Sequence, residues 1–313
     1  MFSYDAMYSQ VAAGFTKPRH EHGPWWQGRL AKEHAAVSWQ DLRKFYRHPQ
    51  RWFVADCLGV CLRDEIIRAE VSETFCQDGL EKYLVNAALI TQLAQGEKKE
   101  IVLQRLQAEG RWPLGASGAL MFQDRVVEVE PFLEQINDLQ PGAPLPAQTF
   151  SLEVAGIELH GMIENIYQDG VFLWGYRKLQ ARDILDAWLH HLVWQRQGNR
   201  QQETVLLGSD GVVHIPGDLP GTPDLKQLVT LFLEGCKAPS LLYPEAGFAG
   251  FASQEKDKKF RAGMVKFFRK RLSRGYDPEL AFLLGERDPE TLVTKEVEEL
   301  CETVLAPLWR LRS

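Results

Sequence analysis

The hydrophobic pattern between residues 150 and 207 constrains the fold of this chain more than any other feature. Apolar residues alternate with other residues over 150–154 and again along 157–167, and such alternation is typical of strands. Gly156 separates these two predicted strands, and Asp169-Gly170 is a strong signal for a two-residue hairpin turn. The pattern therefore predicts consecutive strands connected by tight turns.

A different order of elements follows this turn. Residues 171–176 form a dense apolar stretch that predicts a strand, 182–197 have the periodicity of a helix, and 204–207 predict another short strand. Strand, helix and strand in this order favour two parallel strands joined by a right-handed crossover. The centre of the chain is therefore predicted to have an α/β fold.

Helical segments flank this centre, and residues 1–37 are predicted to form an extended arm that packs its aromatic side chains. Helices are predicted after the N-cap Ser38, after Pro49, over 79–95, 97–110 and 223–234, and from about 255 onwards with a break at 275–278. The polar, proline-rich stretch 139–148 is the best candidate for an internal boundary. We therefore divide the chain into an arm and helical entry region (1–138), a sheet core (149–216) and a helical C-terminal region (222–313).

The composition excludes several classes of protein. Because the net charge is -6, any contact with nucleic acid must come from a local basic patch, since free-standing DNA-binding proteins are usually basic. The sequence contains neither an apolar run long enough for a membrane span nor a Gly-rich phosphate loop for ATP. The five scattered cysteines favour free thiols in a reducing cytoplasm over a disulfide framework or an iron–sulfur cluster. No cofactor is predicted.

The strongest local charge feature lies between residues 256 and 274. Phe260, Met264, Phe267 and Phe268 supply the apolar stripe of a helix there, so the basic residues occupy its other faces. One interpretation is a surface helix with a solvated basic face, and the other is a surface that follows a phosphate backbone. The candidate DNA-binding residues are Lys258, Lys259, Arg261, Lys266, Arg269, Lys270 and Arg271.

Several segments resemble one protein family. "FCQDGLEKY" (75–83), "LQAEGRWPLGASG" (106–118), "LLYPEA" (241–246) and the long stretch 161–193 are similar to segments of the gamma subunit of bacterial exodeoxyribonuclease V, the RecC family. The resemblance spans nearly the whole chain but only the C-terminal third of a full gamma subunit, so we expect a fragment or an expressed domain of a longer protein. It implies a PD-(D/E)xK restriction-endonuclease-like core, with a mixed central sheet and helical additions at both ends.

The same resemblance implies a nuclease site that has lost its ligands. Active members of this fold hold Mg²⁺ with two carboxylates, have a lysine beside the second, and in RecB-type members add an upstream histidine. At the matching positions this chain has Gly118 for the histidine, Glu164 for the first acid, Gly175 for the second acid and Arg177 for the lysine. We call these four the vestigial positions. A single carboxylate beside an always protonated arginine does not reproduce the site, so no metal is predicted.

The resemblance therefore implies a scaffold and not an enzyme. In the family, the gamma subunit holds a RecB-like helicase-nuclease subunit and a RecD-like helicase subunit together, and its C-terminal part helps to separate the DNA duplex during double-strand break repair. Two alternatives stay open. One is a divergent metal-dependent DNA nuclease that depends on Glu164, and the other is a pure protein-interaction module without DNA contact.

Overall fold

The computed structural model describes residues 26–31, 33–62, 79–199, 201–256, 258–285 and 287–312, with side chains from residue 82 onwards in the third range. Most of the predicted arm (1–25) and the segment around Phe75 and Cys76 lie outside these residues. The part of the arm that is described packs an aromatic side chain as predicted, because Trp26 contacts Phe53 edge to face, with ring centroids 5.2 Å apart. None of the described helices is long and apolar enough to cross a membrane.

The resemblance implies one mixed central sheet, but the strands of the described ranges form two separate sheets. The three-stranded sheet has the order β1-β3-β2, and the four-stranded sheet has the order β4-β5-β6-β7. The strands are β1 (Ala36–Ser38), β2 (Gln148–Val154), β3 (Ile157–Ile163), β4 (Ile166–Tyr167), β5 (Gly170–Gly175), β6 (Glu203–Gly208) and β7 (Gly211–Ile215). β2 and β3 are antiparallel, whereas β5 and β6 are parallel, as the strand–helix–strand order predicts.

The helices occur mainly before residue 140 and after residue 224. They are α1 (Trp39–Arg47), α2 (Pro49–Arg51, continued by a π-helical segment Trp52–Cys57), α3 (Gly79–Ala94), α4 (Lys99–Ala108), α5 (Gly115–Leu139), α6 (Ala181–Arg196), α7 (Leu225–Gly235), α8 (Pro244–Gln254), α9 (Phe260–Ser273), α10 (Pro278–Leu284), α11 (Lys295–Val304) and α12 (Ala306–Trp309). Ser38 is the N-cap of α1 as predicted, because its side chain accepts a hydrogen bond from the Asp41 amide over 3.1 Å.

Two predicted segments differ from the structure. The strand predicted over 157–167 is divided in two, because Asn165 has a positive φ of 58° that an extended strand does not allow. The predicted irregular arm ends in β1, which pairs in parallel with β3 and adds an edge strand to the hairpin. The chain therefore bends more sharply next to Glu164 than the hydrophobic pattern predicts, and β3 has a neighbouring strand that the pattern does not predict.

The four-stranded sheet is buried on both faces. Side chains of β5 and β6 alternate between two hydrophobic clusters: Val171 and Leu206 join the cluster that contains α6, while Phe172, Val205 and Leu207 join the cluster formed by α3, α4 and α5. A strand covered on both faces is apolar at consecutive positions, which explains the dense pattern at 171–176. The four-stranded sheet therefore lies between two layers of helices. The carboxyl end of β5 is followed by a short loop and then by the start of α6.

Candidate functional site: a basic cleft beside the vestigial positions

An ion pair connects α1 with the middle of α6. The Arg43 guanidinium donates to both carboxylate oxygens of Asp186, at 2.5 Å from Nε and 2.8 Å from Nη2. Burial disfavours the charge on each group, but their mutual hydrogen bonds outweigh it, so the pKa of Arg43 is raised and the pKa of Asp186 is lowered. Burial lowers the pKa of His190, one helical turn after Asp186, and thereby favours the neutral imidazole.

A second ion pair holds the start of α6. Arg177, the vestigial position that matches the lysine, donates through Nη2 to Asp183 Oδ1. The other oxygen of Asp183 accepts from the Gln180 amide over 3.0 Å and completes a capping box at the helix N-terminus. Arg177 thus neutralises a buried structural carboxylate, and a guanidinium does not reproduce the chemistry of a catalytic lysine.

These two ion pairs border an open cleft of about 310 Å³. Its wall contains five cationic and two anionic side chains, and both acids are the ones already bonded to arginines. Glu164 is exposed between β3 and β4 and exerts an electrostatic effect on Arg43 and His190, so it belongs to the surroundings of this cleft. The cleft residues are Gln40, Arg43, Lys44, Tyr46, Arg47, Arg177, Arg182, Asp183 and Asp186.

The two vestigial glycines have different surroundings. Gly175 ends β5 next to Arg177, and an added Cβ there would lie 3.8 Å from the nearest atoms, which is ordinary contact. Gly118 lies in the first turns of α5, in the other helical layer, and a Cβ there would lie 1.9 Å from the carbonyl oxygen of Pro113. The structure therefore brings Glu164, Gly175 and Arg177 towards one region, whereas Gly118 is closed off by its own packing.

The residues of the predicted basic segment (256–274) differ in their contacts: some are buried, some have acidic partners and some are exposed without an ion pair. Met264 and Phe268 are buried on α9, as the predicted apolar stripe requires. Three of its arginines have acidic partners: Arg261 lies 3.7 Å from Glu298, Arg269 lies 3.4 Å from Asp288, and Arg271 lies 3.9 Å from Asp277. The four lysines among the candidate DNA-binding residues are exposed without an ion pair in the described ranges, namely Lys258, Lys259, Lys266 and Lys270.

One group of potential metal ligands occurs in the described ranges. His48, Asp277 and Glu279 place ligand atoms within 4.8 Å of one another. However, Arg51 lies 3.2 Å from Glu279, and His48 Nδ1 accepts the Arg51 amide, so His48 Nε2 is left to donate to Asp277 over 2.9 Å. These contacts form an internal network that joins α2 to α10. Burial raises the pKa of Asp277, but its hydrogen bonds and the neighbouring positive charges outweigh burial, so the pKa is lowered.

Sequence reasoning missed the cleft itself. Arg43 and Arg47 are four residues apart, so they project from the same face of α1, and this spacing was the available signal. The pairing of that face with the start of α6 is a tertiary contact between positions more than 130 residues apart. Asp186 and His190 are likewise four residues apart and lie on one face of α6, with Nδ1 of the ring 3.9 Å from the carboxylate.

Comparisons with known proteins agree on one family. A family model described as the RecC C-terminal domain matches residues 34–255. The chain is 26% identical over 293 residues to "RecBCD enzyme subunit RecC" of Escherichia coli K12, which covers 88% of this chain and 26% of that relative. It is 18% identical over 180 residues to the protein of the same name from Buchnera aphidicola of Schizaphis graminum, covering 58% of this chain and 17% of the relative. The chain thus spans about a quarter or less of these relatives.

Proposed function

Because the chain belongs to the RecC C-terminal domain family, we propose that it is a catalytically inactive, nuclease-like scaffold of a RecBCD-type helicase-nuclease that acts in double-strand break repair. In this role it holds partner subunits and guides or splits DNA, while the partners supply the helicase and nuclease activities. The observation that carries the proposal is that β5 ends in Gly175, which has no side chain to bind a metal, at the position that the resemblance matches to the second acid of an active nuclease.

The proposed core is of the PD-(D/E)xK type. Three features support it. They are the β2–β3 hairpin of the three-stranded sheet, the parallel β5–β6 pair with α6 between the two strands in sequence, and the helices on both faces of the four-stranded sheet. In such a core the metal lies at the ends of the central strands. Here that region contains Glu164, which interacts electrostatically with Arg43, and the cleft that Arg43, Arg177 and Arg182 line. Cations at these positions repel Mg²⁺ while they attract phosphate.

The helical layer of α3, α4 and α5 is the proposed contact surface for a partner subunit. Most of the large hydrophobic side chains that are exposed in the described ranges belong to this layer and to the loop before α5, and grouped exposed apolar residues mark interaction surfaces. They are Leu84, Ile101, Leu114, Leu120, Met121 and Val127. We assign this surface to the RecB-like or RecD-like subunit.

The first experiment tests scaffold against enzyme. The tagged chain is incubated with purified RecB-like and RecD-like subunits, and the same preparation is assayed for cleavage of labelled DNA with Mg²⁺ and with Mn²⁺. We expect capture of a partner subunit and no metal-dependent cleavage by the chain alone. Cleavage that Glu164→Ala abolishes would establish the nuclease alternative instead, and Glu153→Ala serves as the matched control because Glu153 is an exposed acid on neighbouring β2.

The second experiment tests DNA contact through α9. Lys266 and Lys270 are four residues apart and exposed without ion pairs among the described residues, so their charges can meet phosphates. In the assembled complex, Lys266→Glu with Lys270→Glu is expected to weaken DNA retention several-fold and to lower the slope of log affinity against log salt by about 2.

The matched control for this test is Lys226→Glu with Lys295→Glu, two exposed lysines on α7 and α11. We expect the control complex to retain DNA as the wild type does. If the α9 variant keeps its DNA affinity but loses its partner subunits, the chain is a protein-interaction module and the proposed DNA role of this segment is wrong.

A further inference from the structure

Two arginines lie where two cavities meet. Arg47 and Arg182 line the cleft of about 310 Å³ beside the vestigial positions, and they also line a smaller cavity of about 60 Å³ between α2, α8 and α9. Arg47 is the last residue of α1, and Arg182 is the second residue of α6. The ends of α1 and α6 therefore each contribute an arginine to the walls of both cavities.

These two guanidinium groups lack the partners that their neighbours have. Arg43 and Arg177 are bonded to Asp186 and Asp183, but neither Arg47 nor Arg182 forms a side-chain hydrogen bond or an ion pair with the described part of the chain. The Nε atom of Arg182 is buried without an acceptor. A buried donor without an acceptor costs about 1–3 kcal/mol, so its retention requires an explanation.

One anion already lies at the N-terminus of α6. The Glu245 carboxylate accepts the backbone amides of Ala181 over 3.3 Å and of Arg182 over 3.1 Å, and it attracts the Arg182 side chain electrostatically. Its hydrogen bonds go to these backbone donors, so the buried Nε of Arg182 still has no acceptor. An anion bound in the cleft beside this side chain would supply that acceptor.

We propose that Arg47 and Arg182 bind a phosphodiester group of a single-stranded nucleic acid in this cleft. A phosphate accepts paired hydrogen bonds from guanidinium forks, and the two acids of the cleft are already neutralised by Arg43 and Arg177. A volume of about 310 Å³ holds one phosphate and its sugar, which is the repeating unit of a single strand. The strand would pass where an active nuclease of this fold cuts, so the inference rests on the proposed function.

The test measures binding of a labelled single-stranded oligonucleotide of about 16 nucleotides to the full chain by fluorescence anisotropy, at about 50 and about 200 mM salt. For Arg47→Gln with Arg182→Gln we expect a dissociation constant at least about tenfold higher, and a salt slope smaller in magnitude by about 0.7, the value for one phosphate contact on a single strand. Arg47→Lys with Arg182→Lys keeps the charge and is expected to retain the wild-type salt slope with weaker binding, because lysine lacks the guanidinium fork.

Arg196→Gln is the matched control, because Arg196 is exposed in the last turn of the same helix α6. Inorganic phosphate, titrated against each variant and followed by calorimetry, forms a separate arm.

If the double glutamine variant binds the oligonucleotide as tightly as Arg196→Gln does, the inference is wrong and the proposed DNA role stands. If phosphate binds through both arginines but no oligonucleotide does, the cleft is a small-anion site and the inference is wrong. If the wild type binds no oligonucleotide even at about 50 mM salt, the inference and the DNA part of the proposed function both fail.

Discussion

Replacing Gly118 by alanine is expected to lower the free energy of unfolding by about 2 kcal/mol. The new Cβ would lie 1.9 Å from the carbonyl oxygen of Pro113, a backbone atom that cannot rotate away. Overpacking of this kind costs about 1–3 kcal/mol or more, and the gain of about 1 kcal/mol in helix propensity offsets only part of it. The carbonyl of Gly118 also accepts the indole N–H of Trp112 over 2.8 Å, so a backbone shift would disturb a second buried contact.

Gly175→Ala is the matched control for this measurement. An alanine Cβ at Gly175 would lie 3.8 Å from the Arg177 side chain, so we expect a change within about 0.5 kcal/mol. Urea denaturation of both variants and the wild type gives the comparison. Equal stability of Gly118→Ala and the wild type would show that Pro113 and α5 can separate at low cost, and the packing argument for Gly118 would be wrong.

This difference between the two glycines bears on the proposed loss of a nuclease site. At Gly118 packing alone excludes a histidine, because even a methyl group has no room. At Gly175 packing does not exclude a carboxylate, since the position is half-buried and an added Cβ would make only ordinary contact. In the proposed role, the glycine at position 175 is therefore a chemical change and not a packing requirement, and the arginines of the neighbouring cleft agree better with an anionic ligand than with a metal ion.

The sequence predicts the central elements because their signals are local. The β2–β3 hairpin, α6 and the parallel strand β6 follow from apolar periodicity, and the break after α4 follows from Gly110, which has a φ of 68°. α5 was not predicted as one helix, because Gly115, Gly118 and an internal Pro131 are signals that normally interrupt helices. Its buried face against the sheet outweighs these local preferences.

The candidate site is less predictable for a physical reason. Arg43 is visible in the sequence, but its partner Asp186 is set by the tertiary contact between α1 and α6. Arg271 was grouped with the lysines of its segment, yet its side chain lies against Asp277 and the ring of Tyr276. Local sequence gives the charge of such a residue and not whether that charge is already neutralised.

The free energy of unfolding is expected to depend on pH through His191, by about 3 kcal/mol between pH 7 and pH 4. His191 is fully buried between α6 and β6, where its ring stacks on Trp188 and its Nδ1 lies 3.0 Å from Thr204 Oγ1. Its Nε2 has no hydrogen-bond partner, and burial lowers the pKa of His191 from 6.5 to about 4. A lowering of that size corresponds to about 3 kcal/mol.

The sign follows from proton binding. Between pH 6.5 and about 4 the unfolded chain binds a proton at His191 and the folded chain does not, so the free energy of unfolding falls as the pH falls through this range. His191→Gln removes the titration while leaving His190 in place, and we expect the stability difference between wild type and variant to change by about 3 kcal/mol over this range, whatever its value at pH 7. His160→Gln, at an exposed position on β3, is the matched control and should keep the wild-type profile. The prediction is contradicted if urea denaturation gives the same difference in the free energy of unfolding between wild type and His191→Gln at every pH. The folded state would then accept the proton, and α6 and β6 would pack less tightly around this ring than their contacts indicate.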